Sequence, residues 1–178
     1  MEISKLLTSK PNLSFDLEKA NEVFRKNPSF NSIQTAKITV GGKPLVLVLH
    51  GTFAYDKINV YEFSNGKQYS FKMNLNEKDK VQKAFTKLEN LVQANVPEWA
   101  KVSSPGTKED FWVRLNYDQK NNVFKTKFLS RDNQDFNITT VEGLKDSNTS
   151  ITCEVLAWFN MKDEVAGVSI RVTEIENL

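Results

Sequence analysis

This 178-residue chain has one cysteine and one histidine, and both scarcities exclude chemistry. Cys153 has no second thiol with which to close an internal disulfide, so a reducing, intracellular setting is expected. His50 alone cannot supply a multi-histidine metal site or a paired imidazole centre. It ends an apolar strand before Gly51, where a hydrogen-bonded structural histidine is the simpler reading. No apolar run exceeds five residues, as in Leu45–Leu49, so no membrane-spanning helix is expected. Met1–Leu7 also lacks the apolar stretch of a secretory signal. The sequons Asn137-Ile-Thr139 and Asn148-Thr-Ser150 therefore carry no weight.

Catalytic signatures are missing too. There is no phosphate-binding glycine loop, dinucleotide fingerprint or nucleophile elbow. Cys153 alternates with Ile151, Val155 and Ala157, the pattern of core packing rather than of a Cys–His nucleophile. Asp163-Glu164 falls in a turn, where solvation accounts for it. The expectation is a protein without enzymatic activity, cofactor or metal.

What is present is an uneven charge distribution. The whole chain carries a net +2, but residues 1–131 hold 21 basic and 13 acidic side chains, whereas residues 132–178 hold 3 and 9. A basic body followed by an acidic last quarter suits a polyanion-binding face, or strands with a solvated acidic side.

The hydrophobic pattern implies one domain over 1–178, with a helical segment within residues 1–30 packed on it. Ser14 is placed to cap a helix from Phe15 to Lys26, which Asn27-Pro28 ends. A strand over Ser32–Val40 turns at Gly41-Gly42 into Pro44–His50, which is apolar on nearly both faces and expected to be central. A second hairpin around Asn65-Gly66 joins Ile58–Phe63 to Gln68–Leu75. In the return arm Tyr69, Phe71, Met73 and Leu75 alternate with polar residues. Asn76 is expected to cap the one long helix, Glu77–Ala94, whose apolar residues follow a 3.6-residue period up to Pro97. Ser103–Gly106 is a loop. Phe111–Tyr117 and Val123–Ser130 form a hairpin, Thr139–Glu142 resembles a capping box opening one helical turn, and Ser150–Phe159 pairs with Val165–Thr173. The expected fold is mostly β or α+β: an OB-like antiparallel β-barrel with one long helix and short helical caps.

Phe111–Tyr117 carries the functional signal. Alternation sends Phe111, Val113, Leu115 and Tyr117 inward and Trp112, Arg114 and Asn116 outward. If Phe124, Thr126 and Phe128 also face inward, then Lys125, Lys127 and Arg131 share the outer surface with Trp112 and Arg114. An outward tryptophan among cations is what single-strand binding requires, because the ring stacks on bases while the cations neutralise phosphates. Lys37 and Lys72, with Lys43 and Lys67 nearby, would extend that groove, and Phe53 and Tyr55 sit in a loop suited to stacking or to plugging the barrel end. Three plainer readings compete: Arg114 stacked on Trp112 as a cation–π pair, a merely solvated sheet face, and a Trp112 buried beneath an inserted loop.

In their order along the chain these segments resemble the single-stranded DNA-binding proteins of large nucleocytoplasmic DNA viruses. The resemblance rests on Ser14-Phe-Asp-Leu-Glu-Lys19, Gly41-Gly-Lys-Pro-Leu45, Phe111-Trp-Val-Arg-Leu-Asn-Tyr-Asp118 and Phe124-Lys-Thr-Lys-Phe-Leu129. It continues through Thr139-Thr-Val-Glu-Gly-Leu-Lys145, Ser150–Phe159 and Ala166-Gly-Val-Ser-Ile-Arg171. It implies an OB-type barrel that binds single-stranded DNA with little sequence preference in viral replication, repair or recombination. Replication proteins would be its partners, in the cytoplasm or nucleus of an infected cell. The chain departs from that pattern in being short and in its acidic end, where Thr173–Leu178 looks more like a strand end than a docking tail. The residues leave RNA open as a ligand beside DNA. A non-enzymatic protein-interaction or virion structural module is the other class of function compatible with them.

Overall fold

In a computed structural model the described residues are 1–18, 33–103, 111–130 and 142–177. The long strands form where apolar residues recur at every second position. In β13 (Asn148–Asn160) Ile151, Cys153, Val155, Ala157 and Phe159 are buried, and its hairpin partner β14 (Val165–Asn177) buries Val168, Val172 and Ile175. The same rule buries Tyr69, Phe71 and Met73 of β7 (Gly66–Leu75) and Leu47, Leu49 and Phe53 of β5 (Val46–Phe53). β5 is flanked by β13 and β7, in the central place expected of an almost wholly apolar strand.

Around these lie β6 (Asn59–Phe63), β9 (Phe111–Arg114), β12 (Lys127–Leu129), β2 (Ile33–Lys37) and β8 (Lys101–Ser103). Together they make one nine-stranded sheet with the path β12-β14-β13-β5-β7-β6. β2 adds to β13, β8 to β14 and β9 to β7. Two small sheets complete the described strands. β1 (Pro11–Asn12), β3 (Thr39–Val40) and β4 (Lys43–Pro44) form one, and β10 (Tyr117–Asp118) with β11 (Val123–Phe124) forms the other. Gly41 and Gly42 link β3 to β4 with φ of 59° and 78°, a left-handed pair that only glycine adopts without strain.

The class is thus α+β and mostly β, but the ladders do not close a barrel. Among the described residues no ladder joins β9 at one lip of the sheet to β12 at the other, and β8 and β12 run parallel to β14 rather than antiparallel. The buried Thr126 side chain bridges the lips, beside backbone bonds from the Lys125 and Thr126 N–H groups to the Asn116 carbonyl. The Thr126 hydroxyl donates to the Val172 carbonyl at 2.9 Å and accepts the Asn116 N–H at 2.8 Å.

The long helix, α2 (Lys78–Gln93), covers the core with Val81, Ala84, Phe85, Leu88 and Val92. It packs against a short helix, α1 (Ile3–Thr8), and against β14 and β8. Lys87 of α2 donates to the Leu6 and Leu7 carbonyls, both at 3.1 Å, and to that of Ser9, so a cation meets the acceptor end of α1. Asn76 does not cap α2, contrary to expectation. Glu77 holds that place in a left-handed conformation (φ 51°) without a side-chain cap bond, while the Asn76 N–H goes to the His50 carbonyl at 2.8 Å.

Two other expectations change. The hairpin expected of Phe111–Tyr117 with Val123–Ser130 is paired only at Tyr117–Asp118 against Val123–Phe124, after which the chain departs to pair with β14. Glu142–Lys145 is not helical. Lys145 bridges to Phe53, and Leu144 is buried with its N–H on the Asp56 carbonyl at 3.1 Å. Of the helix expected over Phe15–Lys26, Leu17 and Glu18 are helical and the part from Lys19 on lies outside the described residues.

Candidate nucleic-acid interface

β6, β7 and β9 share one outward face. β7 is a half-buried strand, so Tyr69, Phe71 and Met73 point inward and Gln68, Ser70, Lys72 and Asn74 point outward. The register then fixes the neighbours. Lys72 stands opposite Trp112, Ser70 lies between Arg114 and Asn59, and Gln68 stands opposite Tyr61. Directly opposite residues in a ladder project to the same side, so Tyr61, Phe63, Lys72, Trp112 and Arg114 occupy one surface.

Its rings are open to solvent: Tyr61 is 67% exposed, Tyr55 49%, Phe63 44% and Trp112 42%. Tyr61 and Phe63 stack with centroids 6.2 Å apart, and Tyr55 leans over Trp112 at 6.0 Å. Below the face, Tyr69, Tyr117, Phe124 and Phe128 form a second, inward aromatic cluster, with centroids 4.8–5.2 Å apart from ring to ring. Of these four only Tyr69 belongs to the strands of the face; Tyr117, Phe124 and Phe128 come from β10, β11 and β12.

The cations differ in their partners. Arg114 lies beside a neutral amide: with the Gln68 amide turned so that its oxygen faces the guanidinium, that oxygen is placed to accept from Nε at 3.0 Å and from Nη2 at 3.2 Å. A neutral acceptor orients the guanidinium without cancelling its charge, leaving its other N–H groups for a ligand. Lys67 and Lys57 sit 3.5 Å and 3.4 Å from Glu62 and Glu142. At the Phe63 end the face opens into a groove of about 250 Å³ between Phe63, Gln68, Arg114, Asn116 and Gln119. Gln119 is fixed there because its amide accepts the Lys67 N–H at 2.8 Å and donates to the Lys67 carbonyl, as another strand would.

Of the residues expected at the site, Trp112, Arg114 and Lys72 are brought together. Arg114 lies beside the Gln68 amide, and Trp112 is partly covered by Tyr55 but not buried. Lys125 is exposed at the margin, its N–H on the Asn116 carbonyl at 2.7 Å. It helps to lower the pKa of Asp118, whose carboxylate is held charged chiefly by hydrogen bonds from the Asn121 side chain and N–H. Lys127 belongs to a different neighbourhood, paired with Glu174 of β14. Lys37 is paired with Leu156, eight residues along β13 from the Asn148–Thr52 pair, or roughly 26 Å at strand spacing. Arg131 lies outside the described residues. The Phe53–Tyr55 loop divides: Phe53 is buried against Phe71 at 4.9 Å, and only Tyr55 joins the face.

Tyr61 and Phe63 join the face as well, from a strand to which the pattern of Phe111–Tyr117 does not point. The signal was there, since a tight turn at Ser64-Asn65 sets odd-numbered residues of β6 against even-numbered residues of β7, on the polar side. His50 has a structural neighbour, its Nε2 lying 3.1 Å from the Glu2 carboxylate. Cys153 is fully buried, and burial pushes its thiol up to about 12. Among the described residues no cluster of His, Cys, Asp and Glu is placed to hold a metal, and no helix is long and apolar enough to cross a membrane. No protein-family model matches this chain, and no curated protein matches its sequence.

Proposed function

We propose that this chain is a non-enzymatic single-stranded nucleic-acid-binding protein, with DNA as the first ligand to test, acting through the outer face of β6, β7 and β9. The observation that carries the reading is the exposure of Tyr55, Tyr61, Phe63 and Trp112 on one sheet face with Lys72 and Arg114 between them. Each exposed ring offers a stacking surface worth roughly 1–3 kcal/mol per base, whatever the base. Lys72 and Arg114 supply the phosphate term, which is independent of sequence and weakens with salt. Lys125 extends the margin. Lys127 and Lys37 drop out of the leading set because the register places them beside other strands.

The proposal takes the curled sheet as OB-like, with β9 and β12 as the lips of an incompletely closed barrel. A role in viral replication, repair or recombination follows only from the resemblance noted above. The buried thiol of Cys153 fits a reducing compartment.

The test is tryptophan fluorescence during titration with oligo(dT) at two salt concentrations, with duplex DNA and oligo(U) as comparisons. Quenching by oligo(dT), with an affinity that falls about 0.7 log units per log unit of salt for each phosphate neutralised, is the expected result. No change in fluorescence or anisotropy at low salt overturns the reading.

A further inference from the structure

β6 is an edge strand. Among the described residues its one ladder is with β7, and all of its residues are exposed. The direction of its free backbone groups follows from what β7 bonds on its other side. Lys67 uses its N–H and its carbonyl on the Gln119 amide, and the Tyr69 carbonyl accepts the Leu115 N–H at 2.9 Å. Lys67 and Tyr69 therefore turn their peptide groups away from β6. Opposite residues of an antiparallel ladder either exchange both bonds or both turn outward. Glu62 and Val60, opposite Lys67 and Tyr69, thus present N–H and C=O to the open edge. Such an edge is a template for another strand.

We propose that the occupant is β6 of a second copy of this chain, paired antiparallel about a two-fold axis at Tyr61. The strand is complementary to itself in the one register that uses both outward-facing residues. Val60 then pairs with Glu62 of the second copy and Glu62 with its Val60, exchanging about four hydrogen bonds. Tyr61 meets its own counterpart at a non-hydrogen-bonded pair, where side chains approach most closely, and Asn59 meets Phe63. No like charges stand directly opposite. Glu62 faces an aliphatic side chain and is already matched by Lys67 of its own copy at 3.5 Å. The pairing covers Val60, Tyr61 and Phe63, which are 48%, 67% and 44% exposed in the single chain. A contact between two five-residue strands buries less than the roughly 1,000 Å² of a stable dimer, so the association is weak and concentration-dependent. It would join the two aromatic faces edge to edge, but it rests on the free edge and not on the nucleic-acid reading.

Site-directed cross-linking tests the register. Tyr61→Cys should form a covalent dimer under mild oxidation, and Asn59→Cys should cross-link with Phe63→Cys but neither with itself. Sedimentation tests the association: the wild type should show a reversible monomer–dimer equilibrium. Tyr61→Lys alone and Tyr61→Glu alone should remain monomeric, and their equimolar mixture should recover association. A wild type that stays monomeric at millimolar concentration overturns the proposal. So does cross-linking without regard to register, or a charge mixture that does not associate. Circular dichroism of each variant distinguishes a lost contact from a lost fold, and the Lys/Glu mixture remains decisive because both exposed substitutions must fold for it to associate.

Discussion

Lys72 of β7 and Trp112 of β9 are register partners on the outer face of the sheet, so a cation and an exposed indole stand side by side. Trp112 is not a core residue, and its loss should separate binding from stability. Trp112→Ala should lower oligonucleotide affinity by about 5- to 150-fold, the equivalent of roughly 1–3 kcal/mol of stacking. Its urea midpoint should change by less than about 1 kcal/mol in stability. Lys72→Gln should reduce the salt slope by about 0.7 while leaving the tryptophan signal intact. Fluorescence titration and urea denaturation of both variants check this. Equal losses of stability and affinity in Trp112→Ala would return the indole to the core.

Thr126 holds the two lips of the sheet together through its hydroxyl, which bonds Val172 and Asn116. Thr126→Val keeps the shape and leaves a buried carbonyl and a partly buried N–H without their partner. That should cost about 1–3 kcal/mol, read as a lower urea midpoint. Thr126→Ser, which keeps the oxygen, should recover most of the loss.

Cys153 keeps its proton in the folded chain, its thiol pushed up to about 12 by burial. The unfolded thiol titrates near about 8.5, so the folded state favours the protonated form. The corresponding stability is complete below about pH 8.5 and is lost as the pH rises toward about 12. At pH 8 a disulfide reagent should therefore react only as fast as the chain opens. The labelling rate should rise along the urea unfolding curve, and Cys153→Ala should flatten the alkaline loss of stability.

Glu77 begins α2 in the left-handed region at φ 51°, a conformation costly to a side chain with a Cβ. Its ion pair with Lys80 at 2.7 Å is exposed and contributes little. Glu77→Gly should therefore raise stability by about 0.5–1 kcal/mol, measured as a higher thermal midpoint. Glu77→Ala, which keeps the Cβ and loses the pair, should not.

Much of this was legible along the chain because it depends on local periods. The burial of Phe111, Val113 and Leu115 against the exposure of Trp112 and Arg114 follows from alternation alone. The left-handed Gly41-Gly42 turn follows from the glycine pair, and the buried stripe of α2 from the 3.6-residue period. The start of α2 is not legible along the chain, because Asn76 spends its N–H on His50, a contact that no local pattern contains. Nor is the separation of Lys127 from Trp112 legible there: past Phe124 the buried Thr126 draws the chain onto β14 where a continued hairpin would keep the two side by side.

Which residues lie inside and which outside is readable along the chain, because the two-residue and 3.6-residue periods are written in neighbouring positions. Composition, not periodicity, leaves one histidine and one cysteine for chemistry. Which outward residues meet depends on strands that pair across the folded chain. Tyr61 and Phe63 join Lys72, Arg114 and Trp112 because β7 pairs with β6 on one side and β9 on the other. Strand neighbours are chosen by ladder hydrogen bonds and shared burial across the whole chain, and that choice leaves no periodic trace in any one strand.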